Sequence, residues 1–292
     1  VTLFYYGKTD LMTYWAMVEA NSNLTRIQAY QHVLDNPNTI QLSTLYWLSI
    51  VFMVSGYLNE AMALHKEEES ICRQLGNLNG LQISLGNQAL ILMNWGKLDE
   101  AMALHKETES ICRQLGNLDE LSASLGNQAN ILYNWGRLED AMALHKEEES
   151  ICRQLGNLDG LSISLGNQAV ILKNWGKLEE AMALHKEQES ICRQLGNLDG
   201  IQRSLGNQAV ILMNWGKLEE TMALYKEKES ICRQLGNMQA LCISLAFQAI
   251  INIAQEDKIQ ARSLFNEALQ LAKEHNFTDL EKIIESETSR LE

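Results

Sequence analysis

Four histidines recur every 40 residues, His65, His105, His145 and His185, and each precedes a glutamate by four residues: Glu69, Glu109, Glu149 and Glu189. One helical turn separates the members of each pair, a spacing that suits two ligands of a metal site. The next two copies of the histidine position hold Tyr225 and Phe265. A position that accepts tyrosine and phenylalanine asks for a ring, and two ligands per copy do not complete a four-ligand site. A packed ring and no metal are therefore expected. Five of the six cysteines follow the same period: Cys72, Cys112, Cys152, Cys192 and Cys232. Equivalent residues of stacked helices stand roughly 8–10 Å apart, whereas a disulfide needs Cα atoms within about 7 Å. Reduced, inert thiols in a cytoplasmic protein are the expectation. A third column holds Asn87, Asn127, Asn167 and Asn207, carboxamides that donate and accept together. The sequence has no phosphate-cradling Gly-rich loop and no Ser/His/Asp set with distinct roles. A catalytic site needs one special place, and these residues recur in every copy, so neither an enzyme nor a cofactor is expected.

The elements that carry these columns follow from the period. Units 81–120, 121–160, 161–200 and 201–240 are identical at 26 of 40 positions, sharing SLGNQA, NWG and ESICRQLGN. Two worn units, 41–80 and 241–280, flank them. Each unit reads as two helices joined by a turn too short for anything but an antiparallel pair. In unit 81–120 helix A runs from about Leu81 to Asn94 and stops at Trp95-Gly96; helix B runs from about Leu98 to Leu115 and stops at Gly116-Asn117. Glycine and asparagine tolerate the left-handed conformation that ends a helix. No charge lies between Leu81 and Gly96, whereas helix B carries Asp99, Glu100, Lys106, Glu107, Glu109 and Arg113, so helix B has the wetter face. Its buried stripe is Ala101, Leu104, His105, Ile111, Cys112 and Leu115. On helix A, Leu81, Leu85, Ala89 and Leu92 share the core face. Ile83, Asn87, Leu90 and Asn94 share the opposite one, uncharged and half amide, which suits the lining of a groove.

Composition narrows the class. One proline in 292 residues fits a chain that is mostly helix. A net charge of −13 argues against nucleic acid, whose phosphates need Lys and Arg. Residues Asn36 to Asn59 are uncharged, but the dense apolar run Leu45 to Val54 is ten residues long, against the roughly 20 that a spanning helix needs. A soluble chain is expected, with no membrane partner and no small-molecule substrate. The chain opens on Val1, which keeps a longer parent protein in view. Residues 1–40 read as a helical lead-in (Asp10–Ala20 and Thr25–Asp35, broken at Asn36-Pro37). Residues 278–292 read as a closing helix, its start marked by a Thr278/Glu281 capping box and its covering face by Leu280, Ile283, Ile284 and Leu291; in the domain division 281–292 are the cap.

With Leu85, Gln88, Ala89 and Leu92 in helix A, Gly96 in the turn and Ala101 and His105 in helix B, the chain resembles a tetratricopeptide repeat protein over about residues 41–280. The 40-residue period is similar to the kinesin light chain type and to spindle-orientation proteins with GoLoco motifs, and similar units follow nucleotide-binding switch domains in many bacterial proteins. The resemblance implies an all-α fold, a right-handed superhelical α-solenoid of antiparallel helix pairs. It departs from the family in lacking the closing proline and in replacing the late helix-B alanine by Glu68, Thr108, Glu148, Gln188 and Lys228, which predicts looser or wetter packing there.

In the kinesin light chain and GoLoco-partner types, an Asn at the column of Asn87, Asn127, Asn167 and Asn207 bonds the backbone of a bound peptide. Here those amides either do so, or bond each other, neighbouring turns or water. Three columns beside them vary: Ile83/Ala123/Ile163/Arg203, Leu90/Asn130/Val170/Val210 and Met93/Tyr133/Lys173/Met213. Variation around a constant amide ladder fits pockets of different character, and equally fits drift at tolerant positions. The candidate peptide-binding set is Asn87, Asn127, Asn167, Asn207, Ile83, Leu90, Asn130, Tyr133, Val170, Lys173 and Arg203. The expected function is a protein-interaction scaffold that holds a peptide or helix in its concave groove; the alternative is a sensor or autoinhibitory module of a larger signalling NTPase. Trp95, Trp135, Trp175 and Trp215 are expected to pack, and glutamate runs such as Glu147-Glu148-Glu149 to form a solvated outer face.

Overall fold

The computed structural model describes residues 42–289, which form thirteen helices and no strand. The expected lead-in helices lie outside the described residues. The A helices are α1 (Leu42–Val54), α3 (Leu78–Asn94), α5 (Leu118–Asn134), α7 (Leu158–Asn174), α9 (Leu198–Asn214) and α11 (Met238–Ala254). The B helices are α2 (Leu58–Leu75), α4 (Leu98–Leu115), α6 (Leu138–Leu155), α8 (Leu178–Leu195), α10 (Leu218–Leu235) and α12 (Lys258–Glu274), and α13 (Thr278–Ser289) follows. The chain divides into two compact units between Ala141 and Met142. In the first, α1 to α5 pack each on the next; in the second, α7 to α13 do the same.

The helix-B boundaries agree with the sequence reading, but the A helices begin three residues earlier, at the residue after Asn77 and its equivalents. The Gly-Asn pair is both stop and start. Gly76 ends α2 in the left-handed region at φ 63°, and the Asn77 N–H closes that helix on Cys72 O at 2.9 Å. The Asn77 Oδ1 then caps α3 by accepting from the Gly80 N–H at 3.1 Å, and Asn117, Asn157, Asn197 and Asn237 repeat the device. A cap of this kind contributes about 1 kcal/mol. In the last A–B turn Glu256 adopts φ 65° where the earlier repeats have glycine.

The predicted core face of helix A is buried in the near-identical units: Leu81, Leu85, Ala89 and Leu92 are at most 7% exposed, as are Leu161, Leu165, Ala169 and Leu172. On helix B the stripe needs correction at its end, since Leu115 is 38% exposed while Met102 and Thr108 are buried. All four repeat histidines, Tyr225 and Phe265 are buried, which is the ring-packing role. The six cysteines are buried thiols without disulfides, and burial pushes those of Cys72 and Cys112 up to about 11. On α13, Ile284 is buried and Leu280 packs against the same apolar cluster as Phe265 and Ala268. Ile283 is 59% exposed and takes no part in that cover. The capping box does not form: Thr278 is the first helical residue, and the Glu281 N–H bonds the Phe277 carbonyl at 2.9 Å. No described helix is long and apolar enough to cross a membrane.

Candidate functional site

The A-helix face opposite the core carries the candidate residues. Asn87, Asn127, Asn167 and Asn207 are all half-buried, as are Ile83, Leu90, Asn130, Tyr133, Val170 and Lys173. Ile163 and Arg203 stand further out and are exposed. The carboxamides of Asn87, Asn127 and Asn207 take part in no hydrogen bond among the described residues; Asn130, Tyr133 and Asn167 each have a partner. In the last repeat the column changes character, because Phe247 takes the asparagine position and stacks on Tyr225 with ring centroids 5.0 Å apart. Ile243, Phe247, Ile250 and Ile253 then give α11 a half-buried apolar face.

A second polar column, which sequence reasoning left without a role, fixes one repeat to the next. The Ser84 hydroxyl donates to the His65 carbonyl at 2.6 Å, and the Gln88 amide donates to Glu69 Oε2 at 2.7 Å. Glu69 also accepts from Arg73 at 2.8 Å, and Arg73 reaches on to Glu107 at 2.8 Å. In the second unit Ser164 bonds His145 O, Gln168 bonds Glu149, and Arg153 bridges Glu149 and Glu187. Gln208–Glu189 and Gln248–Glu229 repeat the lock. The signal was present in the sequence as an invariant Ser, Gln, Glu and Arg at fixed offsets.

This lock corrects the outer-face reading of the glutamate runs. Glu148 is 6% exposed and its carboxylate meets His145 Nδ1 at 2.8 Å; Glu149 is the lock carboxylate. The metal-like His–Glu spacing of four is likewise not the one used. Histidine pairs with the residue three further on: His65 with Glu68 at 3.1 Å and His185 with Gln188 at 3.1 Å. His105 faces Thr108, whose hydroxyl bonds Leu104 O, and both ring nitrogens of His105 are buried without a partner. Burial lowers that imidazole to about 4.

The late helix-B column is buried rather than wet. Glu68, Thr108, Glu148, Gln188 and Lys228 are all at most 9% exposed. Room for the long ones comes from the glycine of the SLGNQA run. A Cβ on Gly166 would stand 2.4 Å from the Gln188 amide nitrogen, and one on Gly206 would stand 2.8 Å from Lys228 Nζ. Opposite the short Thr108, a Cβ on Gly86 would meet nothing within 4 Å. In the last repeat both partners are alanine, Ala246 and Ala268. Trp95 is 38% exposed and walls a surface hollow of about 360 Å³ with Met62, Leu92 and Leu104, rimmed by Lys66, Lys97 and Glu100.

No family model matches the sequence, and no curated protein does. Solved structures do. A signal transduction ATPase with numerous domains and a tetratricopeptide repeat sensor, from Pyrococcus horikoshii, superposes on 94% of this chain with TM-score 0.74 and 13% identity. The match spans 43% of that protein's length. A kinesin light chain-like protein of Podosopora anserina with nearly identical TPR-like repeats matches over 67% of this chain and 96% of its own, with TM-score 0.55 and 18% identity. A Rap protein complexed with Competence and Sporulation Factor matches over 97% of this chain and 87% of its own, with TM-score 0.63 and 11% identity. At these identities the likeness shows the fold: an all-α solenoid of tetratricopeptide-like helix pairs.

Proposed function

We propose that the chain is a protein-interaction scaffold, acting by binding and not by catalysis, which holds an extended peptide against the half-exposed face of its A helices. The observation that carries this reading is the set of carboxamides without partners, Asn87 and Asn127 in the first unit and Asn207 in the second. These amides are half-buried and make no bond to the protein, so their donors and acceptors are open to a ligand. A peptide backbone satisfies such a group whatever its sequence, because it offers a donor and an acceptor at every residue. The varying neighbours Ile83, Leu90, Tyr133, Val170, Lys173 and Arg203 would then choose the side chains, with Asn130 and Asn167 contributing through the partners they already hold. Buried, reduced cysteines favour a cytoplasmic setting.

The test uses the full chain and an array of C-terminally amidated random peptides about ten residues long, each about 33 Å when extended at about 3.3 Å per residue. Each hydrogen bond is worth a net ~0.5–1.5 kcal/mol, so Asn87→Ala with Asn127→Ala should weaken selected peptides about tenfold or more. The exposed pair Gln114→Ala with Gln194→Ala should leave them unchanged. Loss of binding with the glutamine pair and not with the asparagine pair would place the site on the B helices. A second reading, the sensor module of a signalling NTPase, is favoured by the match to the P. horikoshii protein; an adjoining phosphate-binding domain in the parent gene would support it.

A further inference from the structure

The late helix-B column places a polar or charged side chain in the core of every repeat but the last, and in all but one the polar group is satisfied. Glu68 and Glu148 meet histidine nitrogens, Gln188 meets His185, and Thr108 bonds its own helix. The exception is Lys228. It is 9% exposed, and its ammonium makes no hydrogen bond or ion pair among the described residues. The ring three residues earlier is Tyr225 instead of histidine, so the ring nitrogen that Glu68, Glu148 and Gln188 meet has gone. The flanking carboxylates are engaged elsewhere: Glu227 with Arg193, and Glu229 with Arg233 and Gln248. Burial moves the Lys228 amine below its ordinary value. The Nζ is not among the fully buried polar atoms without a partner, so a largely buried stem carries the ammonium to the surface, where no carboxylate is paired with it and a ligand can supply the counter-charge.

The side chain runs from α10 over Gly206 of α9, its Nζ 2.8 Å from where a Cβ of that glycine would lie. Glycine at this position leaves room for the ammonium against the A helix. Next to Gly206 is Asn207, whose amide has no partner, and one turn before is the exposed Arg203, paired with Asp199 at 3.0 Å. Lys173 on α7 is a further half-buried cation without a carboxylate partner among the described residues. Beyond the first-turn Asp159 and Asp199, helices α7, α9 and α11 carry no carboxylate. The chain as a whole has net charge −13, so this face of the second unit is locally cationic within an acidic protein.

We infer that the Lys228 ammonium, set over Gly206, which precedes Asn207 and lies one turn from Arg203, receives the carboxylate of an Asp or Glu side chain of the bound partner. The inference rests on the A-helix face being the binding face. Lys228 is then a specificity-determining residue for an acidic peptide, and the apolar face of α11 (Ile243, Phe247 and Ile250) takes an apolar residue to one side of the acid.

The experiment uses the same amidated array, in which every carboxylate belongs to a side chain. Lys228→Gln keeps the packing, since Gln188 already lies over Gly166 in this way; Lys228→Met, an unbranched side chain of similar bulk and no charge, is the second variant. Circular dichroism verifies that each is folded. Wild-type protein should select peptides with Asp or Glu at one fixed position, and converting that acid to its amide should weaken binding about tenfold or more. Neither Lys228 variant should discriminate acid from amide. If selected peptides depend on Asn207 but have no acidic position, or if the variants discriminate as wild type does, the Lys228 assignment is overturned while the binding face stands. If no peptide is retained, or retained peptides respond to neither Asn207→Ala nor the Lys228 variants, both are overturned.

Discussion

The inter-repeat lock makes Glu149 the most informative residue for stability. Its Oε1 accepts from Arg153 at 2.8 Å, its Oε2 accepts from the Gln168 amide at 2.7 Å, and Arg153 continues to Glu187 at 2.8 Å. One carboxylate thus ties α6 to α7 and, through arginine, to α8. The Arg153 side chain is 46% exposed, so its ion pair is worth only ~0.2–1 kcal/mol. The amide-to-carboxylate bond is the larger contribution, because Gln168 is buried and its other contacts, to His145 O and Ser164 Oγ, are long at 3.4 and 3.5 Å. A hydrogen bond to a charged group contributes ~1.5–3 kcal/mol. Glu149→Ala should therefore cost about 2–3 kcal/mol in urea unfolding followed by circular dichroism. The exposed Glu179→Ala, in the first turn of α8, should cost under about 1 kcal/mol, the size of a helix-dipole contribution. A cycle of Glu149→Ala with Gln168→Ala should show coupling of at least ~1 kcal/mol. Equal losses for Glu149→Ala and Glu179→Ala, or a cycle without coupling, would refute the lock.

The other expectations are checked as readily. The chain 161–200 alone should be largely unfolded by circular dichroism, since each repeat needs its neighbours to bury its core. Gly166→Ala should destabilise by about 1–3 kcal/mol by displacing Gln188, and Gln188→Ala in the same chain should recover most of that loss, as the Ala246/Ala268 pair does naturally. Glu256→Gly should stabilise by about 0.5–1 kcal/mol, because an L-residue at φ 65° is strained; a lower urea midpoint would contradict this. His105 is lowered to about 4 in the folded chain against ~6.5 unfolded. The unfolded state therefore binds the proton first as pH falls, and this contribution to stability, complete above about pH 6.5, is lost progressively down to about pH 4. His105→Phe should flatten that part of the pH–stability profile, measured by urea midpoints.

The fold was legible because two periods agree. The 40-residue repeat and the i, i+4 spacing of Leu81, Leu85 and Ala89 both specify stacked helix pairs, and the Gly-Asn and Trp-Gly punctuation fixed most boundaries. What escaped was polar and tertiary. Glu148 reads as solvated because its neighbours are glutamates, yet its position three residues after His145 turns it into the core. Gln88 fits the repeat pattern as a large residue, but that its amide reaches a carboxylate of the preceding helix depends on how helices stack, which local periodicity does not encode. The asparagine column was visible as a column; which of its amides lack partners became clear only with the neighbours in place.

The A helix divides its labour by angle, and this explains how near-copies can specify different contacts. One face, Leu81, Leu85, Ala89 and Leu92, meets the core; a second, Ser84 and Gln88, engages the preceding B helix; the third carries the amide and the varying residues. A substitution on the third face leaves the other two intact, so the residues there can change repeat by repeat without loss of stacking. Lys228 is the informative exception, because a helix-B side chain brings a charge up against the A helix. Glycine at position 206 couples the two, leaving room for a buried helix-B side chain against the A helix. A repeat can thus set the charge beside its A helix through a residue whose side chain is largely buried.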